Sequence, residues 1–332
     1  EKAAGSRLKN ILAGMTGSPL RALLLGLGVT AVIQSSSATT VMVVGFVNSG
    51  LMELRQAIGV IMGANIGTTV TAWLLSLSGI QGDSLVLKLL KPSSFTPVLA
   101  LIGILLVLGS KRSVRRDAGT ALLGFAVLMA GMETMSGAVA PLAHSEAFAG
   151  ILLLFTNPIL GVLAGGAALT AVIQSSSASV GILQALSATG AVTNAVAIPI
   201  IMGQNIGTTV TALLSSVGTT RAARRTALVH FYFNLLGTVV CLPVFWLIRD
   251  LAAPAILGES ASAFSIAVFH SVFNVTCTAL LFPFRGKLEA LAIRTIPETA
   301  QDAPFAMLDE RLLATPAIAA ERCRTLICDM AS

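Results

Sequence analysis

Charge is what this chain has least of. Acidic and basic side chains make up only 11% of its 332 residues, against 55% hydrophobic, whereas a soluble domain carries about a quarter charged residues. That shortage excludes an ordinary water-soluble globule. Aromatic residues are also few, with one Tyr and two Trp, and the short alternating segments of a membrane β-barrel are absent. The three His are spread out, and Cys241, Cys277, Cys323 and Cys328 show neither metal-ligand spacing nor a disulfide framework. With no nucleotide-binding glycine fingerprint and no Ser–His–Asp arrangement either, the chain does not look like an enzyme.

What is present is apolar length. Runs such as Pro97–Leu108, Ala118–Met132 and Phe264–Phe284 recur along most of the sequence and point to an all-α polytopic membrane protein in a lipid bilayer. The net charge of +6 does not indicate nucleic acid. Its basic residues sit in short loops between apolar spans, where they orient a membrane protein.

Two stretches are written twice. Thr30–Ala38 reads TAVIQSSSA and so does Thr170–Ala178; Met62–Ala72 reads MGANIGTTVTA and Met202–Ala212 reads MGQNIGTTVTA. Both pairs share one offset of 140 residues, which marks an internal duplication. Paired polar interruptions in two halves of an apolar chain are the sequence sign of a transporter's midplane site. The expected division is a first repeat over 1–92, a connecting span and basic loop over 93–117, a second repeat over 118–250, a last transmembrane helix over 251–294, and an amphipathic tail over 295–332. The apolar helix 118–138 that precedes the second copy has no counterpart after residue 1, so the first repeat is expected to lack its leading helix.

Leu20–Val47 is too long for one comfortable span of about 20 residues and too short for two. It is either one long broken span or a re-entrant hairpin with QSSS at its tip. Charge placement separates the two. With hairpins in both copies, the spans are 56–78, 93–110, 118–138, 192–216, 226–248 and 263–284. All Lys and Arg except Lys88, Lys91 and Arg249 then fall on one face, as the positive-inside rule requires. The expected fold is therefore two inverted repeats, each with a re-entrant helical hairpin and a transmembrane helix broken at N-I-G-T-T, both visible termini being cytoplasmic.

The interruptions carry neutral ligands. Ser35, Ser36, Ser37, Ser175, Ser176 and Ser177 offer hydroxyls; Gln34, Gln174, Asn65 and Asn205 offer amides; Thr68, Thr69, Thr208 and Thr209 add further hydroxyls. A half-helix starting after QSSS aims N–H groups and a positive dipole end at an anion. Side-chain oxygens and freed carbonyls suit a small hard cation such as Na⁺. Serine, threonine and glycine also pack transmembrane helices, but packing does not call for two polar motifs at one offset. His230 with Asn234, and His270 with Asn274, share helix faces at i, i+4 and can either brace the core or titrate.

The doubled QSSS, the GANIGTT and GQNIGTT segments and the downstream HFYFN resemble the type II sodium/phosphate cotransporter family over roughly residues 1–290. The resemblance implies a secondary active transporter moving inorganic phosphate with Na⁺ as coupling ion, by alternating access. Phosphate is expected on Ser35, Ser36, Ser37, Ser175, Ser176, Ser177, Thr68 and Thr208, and Na⁺ on Gln34, Asn65, Thr69, Gln174, Asn205 and Thr209. The segment LDERLLATPAIAAERCRTLICDMA resembles the start of a PhoU-like helical domain, which implies a bacterial inner membrane. The alternatives are a Na⁺-coupled carrier of another anion (carboxylate or arsenate), an anion channel and a phosphate sensor. Oligomeric state is not legible.

Overall fold

A computed structural model describes residues 14–79, 92–252 and 254–297, with a few positions between 319 and 328. Every named element is helical, apart from one isolated bridge between Thr193 and Ser260. The longer ones, in chain order, are α1 (Pro19–Ile33), α2 (Ser36–Asn48), α3 (Leu54–Ser76), α4 (Pro92–Gly109), α5 (Ser113–Val139) and α6 (Glu146–Phe155). There follow α7 (Pro158–Ile173), α8 (Ser176–Ser187), α9 (Asn194–Gly207), α10 (Thr209–Ser215), α11 (Arg221–Leu247), α12 (Ala263–Leu281) and α13 (Arg285–Thr295). Five continuous stretches, 54–79, 113–142, 194–215, 221–252 and 263–295, are long and apolar enough to cross a membrane. The sixth expected span, 93–110, corresponds to α4, which is apolar but shorter. The leading residues before Gly14 and most of the tail expected over 295–332 lie outside the described residues.

Local chemistry explains where the helices begin. Ser18 caps α1 with Pro19 behind it, and Asn157 caps α7 with Pro158 behind it; a proline in the first turn forfeits no helical hydrogen bond. Pro158 stands one residue farther from Thr170 than Pro19 does from Thr30. The second copy absorbs that residue in a π-helical stretch, Gly161–Ala168, which is how an inserted residue is commonly housed inside a helix.

Each QSSS is the tip of a hairpin. Thr30 and Thr39 lie on either side of the first turn, and their hydroxyls are hydrogen-bonded at 3.0 Å. In a continuous helix nine residues would separate them by about 13 Å, so the chain has turned back. Thr170 and Ser179 repeat the contact at 2.6 Å. The arms α1 and α2 have 15 and 13 residues, about 20 Å each, short of a bilayer core of about 30 Å. They enter and return.

The hairpins enter from opposite faces. At the start of α11, the Thr220 N–H donates to Asn48 at the end of hairpin 1 (2.8 Å), and Arg225 donates to the carbonyl of Ile296. Past its other end, Arg249 donates to the carbonyl of Thr156, just ahead of hairpin 2 (3.4 Å). Ser260 closes the same face by donating to Gly190 (2.9 Å). The intervening helix of 27 residues is about 40 Å long. The two repeats are therefore inverted.

Packing follows membrane rules. Lipid is as apolar as leucine, so helix association rests on close backbone approach. A Cβ on Gly63 would lie 1.9 Å from the Leu23 carbonyl oxygen, and one on Gly203 2.0 Å from that of Val162. Gly67 and Gly207 each leave room for the threonine four residues before the hairpin tip, Thr30 or Thr170. The first arm of each hairpin is thereby clamped to the N-I-G-T-T helix of its own repeat. Exposed side chains such as Leu108 and Leu251 point outward, as lipid contacts.

One expectation needs correction. The first N-I-G-T-T segment does not break its helix: α3 runs unbroken from Leu54 to Ser76. In the second copy the only interruption is a turn at Thr208 between α9 and α10. The glycines around Asn65 serve close approach to α1 rather than unwinding, and Asn65 returns its amide to its own helix at Ile61 (3.0 Å).

Candidate functional site

Both hairpin tips use the same unusual backbone. Gln34 has φ 60° and Gln174 φ 57°; among the described residues no other non-glycine has positive φ. Left-handed backbone is disfavoured for residues with a Cβ, and such strain concentrates at functional sites. The next residue is extended and caps the second arm: Ser35 Oγ accepts from Ala38 N (3.1 Å) and Ser175 Oγ from Ala178 N (3.2 Å). With Ala38 and Ala178 capped, the N–H groups of Ser36, Ser37, Ser176 and Ser177 stand in the first turns of α2 and α8. That is an anion-binding arrangement, presented twice. Ser36 and Ser176 are both buried, and Ser37 and Ser177 are partly so.

The asparagines and threonines expected as ligands lie on the adjoining helices. Asn65 and Asn205 each give their amide nitrogen to a carbonyl one turn back, Ile61 and Ile201. Thr68 donates to Ala64, Thr208 to Asn205 and Thr209 to Ile206. A threonine whose proton is spent on its own helix keeps lone pairs for a cation. Thr69 is buried on the same helix.

Within each repeat the structure sets the hairpin tip beside its N-I-G-T-T helix. Gln34 shows this directly, its Oε1 accepting from Thr71 Oγ1 at 3.0 Å while its amide nitrogen donates to Ala31. Gln174 is exposed, and Thr211, the counterpart of Thr71, has a buried hydroxyl without a partner. Among the described residues no hydrogen bond joins one QSSS to the other. The repeats meet instead through second arms: α2 packs on α10 and α11, and α8 packs on α3.

Sequence reasoning passed over several residues that shape this site. Thr30, Thr71, Thr170 and Thr211 all lie inside the duplicated strings, so the duplication itself was their signal. Gln204 is the single difference between the two N-I-G-T-T strings, standing where the first copy has Ala64, whereas Gln184 lies outside both strings and had no signal. The two His–Asn pairs brace their own helices: Asn234 donates to the His230 carbonyl (3.1 Å), and Asn274 donates to that of His270 (2.9 Å). No group of three or more His, Cys, Asp or Glu able to hold a metal occurs among the described residues.

A multi-pass helical protein with two inverted re-entrant hairpins and polar, uncharged tips has the build of a secondary transporter. Its kind is settled by comparison: the chain belongs to the Na⁺/Pi-cotransporter family, whose pattern matches it twice, over residues 1–137 and 130–258. The double match reflects the duplication. Among relatives, the uncharacterized protein YqeW of Bacillus subtilis is 33% identical over 297 residues, covering 89% of this chain and 90% of its own length. YjbB of Escherichia coli, whose name assigns it provisionally to inorganic phosphate export, is 29% identical over 318 residues. That alignment covers 95% of this chain but 56% of YjbB, so the chain spans about half the length of that relative. The sodium-dependent phosphate transport protein 2A of Ovis aries is 43% identical over 76 residues, 23% of this chain and 12% of its own length. No solved structure matches.

Proposed function

We propose that this chain is the membrane domain of a Na⁺-coupled carrier of inorganic phosphate that works by alternating access. The observation that carries the reading is the pair of left-handed glutamines, each followed by a capped half-helix, entering from opposite faces. Phosphate is held by N–H groups and hydroxyls of Ser35, Ser36, Ser37, Ser175, Ser176 and Ser177, with Thr68 and Thr208 beside them. Na⁺ takes side-chain oxygens of Gln34, Asn65, Thr69, Gln174, Asn205 and Thr209. Neither tip nor either N-I-G-T-T segment contains Lys or Arg. A divalent anion at this depth therefore needs Na⁺ to offset its charge, and the two ligands bind interdependently.

The positive-inside rule makes the face bearing Asn48, Thr220 and Ile296 cytoplasmic, in keeping with a bacterial inner-membrane protein. The names of the relatives support phosphate as the substrate and leave both directions of transport in play. The repeat boundaries over 1–92 and 118–250, and the tail as the start of a regulatory helical domain, belong to the same proposal.

The test is radiolabelled phosphate flux into proteoliposomes of the full-length protein, under an inward Na⁺ gradient or an equal K⁺ gradient. Uptake that needs Na⁺ and is lost on Ser36→Ala with Ser176→Ala supports the reading. Flux indifferent to Na⁺ favours a channel or uniporter. Absence of phosphate flux beside Na⁺-driven flux of another anion reassigns the substrate.

A further inference from the structure

The two repeats are not equal where they meet. Gln184, in the second arm of hairpin 2, is buried, and its amide nitrogen donates to the carbonyls of Ala72 in α3 (3.0 Å) and Ala263 in α12 (3.1 Å). Shifting both residue numbers back or forward by the repeat offset identifies the matching contact on the other side. There Val44 lies in an apolar cluster with Ala212, Ala223 and Ala227. Position for position, Gln184 on Ala72 corresponds to Val44 on Ala212. At these matched positions, midway along the arms, one contact is made by directed hydrogen bonds and the other is apolar, while among the described residues α2 takes its hydrogen bond to the second repeat only at its base, at Asn48.

A second position breaks the symmetry in the same sense. Gln204 of α9 is buried and donates to both the carbonyl and the hydroxyl of Ser179 (2.9 Å each), which lies in the same arm as Gln184. Its counterpart is Ala64, which can donate nothing. The second arm of hairpin 2 is thus tied to three elements, α3, α9 and α12, by two amides. The second arm of hairpin 1 has neither tie. Hairpin 1 is held instead at its tip, by Gln34 and Thr71, and at its base, by Asn48 and Thr220.

We propose that Gln184 and Gln204 are positioning residues that keep hairpin 2 docked on the scaffold, so that the second arm of hairpin 1 is the gate that moves first. Apolar contact is non-directional and tolerates a sliding helix. Hydrogen bonds lose strength steeply with misalignment, and moving α8 would strand buried amide hydrogens away from water. Because the hairpins enter from opposite faces, this inequality biases the resting carrier to open toward the face that hairpin 1 enters. The proposal rests on the carrier reading for its consequence, but its geometry is testable without substrate.

Ala38 and Ala178 are exposed, equivalent, and sit in the first turn of the two second arms, outside the groups assigned to ligands. Each is replaced by cysteine, singly, in the full-length protein lacking its native cysteines. The proteins are held in nanodiscs, where a hydrophilic maleimide reaches both faces. Labelling is expected to be several-fold faster at Ala38→Cys than at Ala178→Cys. Adding Gln184→Val with Gln204→Ala, the residues the fold already uses at the matching positions, should bring Ala178→Cys up to the Ala38→Cys rate. Conversely, Val44→Gln with Ala64→Gln should slow labelling at Ala38→Cys, which keeps the test decisive if the first pair fails to fold. Equal rates in the parent proteins, or rates unmoved by the glutamine changes, overturn the proposal. In proteoliposomes the Gln184→Val/Gln204→Ala pair should also change the ratio of phosphate uptake to efflux under mirrored gradients. A labelling result as expected with no phosphate flux would leave the gate standing and remove only the substrate.

Discussion

Thr71 donates its hydroxyl to the side-chain oxygen of Gln34 across 3.0 Å, so a helix of the first repeat directly fixes the orientation of a tip amide. Its counterpart Thr211 has a buried hydroxyl and no partner. Thr71→Val should cost about 0.5–1.5 kcal/mol, the net worth of such a bond, and raise the phosphate concentration for half-maximal uptake. Thr211→Val should leave the melting temperature unchanged or higher, since it removes an unsatisfied polar group. Thermal melts in detergent decide this, and a raised Na⁺ requirement in Thr211→Val at full stability would assign that hydroxyl to a cation.

The turns separate backbone from ligand roles. Glycine adopts the φ of 60° at Gln34 without steric strain, a relief of about 1–3 kcal/mol that offsets the lost bond to Thr71, so Gln34→Gly should fold about as well as the parent while losing transport. Gln34→Val, β-branched in the left-handed region, should destabilise by roughly 1–3 kcal/mol. If Gln34→Gly transported normally, the glutamine would be there for the turn alone.

Capping makes a similar distinction at Ser35. Ser35→Ala loses the bond to Ala38 N and should cost about 1 kcal/mol. Asparagine and aspartate both cap well, so Ser35→Asn and Ser35→Asp should melt with the parent. Only the aspartate places a negative charge at the anion site, and its phosphate uptake should vanish while that of the asparagine variant persists. Retained uptake in Ser35→Asp would remove the anion from that helix end.

Close packing predicts a contrast among glycines. Gly63→Ala and Gly203→Ala push a methyl group into backbone carbonyls of the facing arm and should destabilise by at least the 1–3 kcal/mol typical of overpacking. Gly28→Ala, in α1 with nothing within 4 Å of the added methyl, should stabilise by about 0.5–1 kcal/mol. Expression level and melting temperature read both. Similar melts for all three would mean that neither α1 on α3 nor α7 on α9 is clamped as described.

Much of this fold was legible in the sequence because the membrane imposes simple rules. Apolar length marked the spans, and basic loops chose hairpins over single crossings. The duplicated strings located both tips, and Gln34 and Gln174 do sit at the turns. The N-I-G-T-T segments were harder, since a glycine beside an asparagine reads equally as a helix break or as a close contact. Only the position of α1 against α3 shows that Gly63 and Gly67 make room for a neighbour.

By itself, then, the sequence determined the class of protein, the repeat, the two polar interruptions and their neutral chemistry, because composition and spacing along the chain carry that information. Tertiary structure alone decided which partners the two copies take and where they differ. Gln184 reaches Ala72 and Ala263, 112 and 79 residues away in the chain, and a hydrogen bond depends on distance and angle in space, which no local pattern encodes.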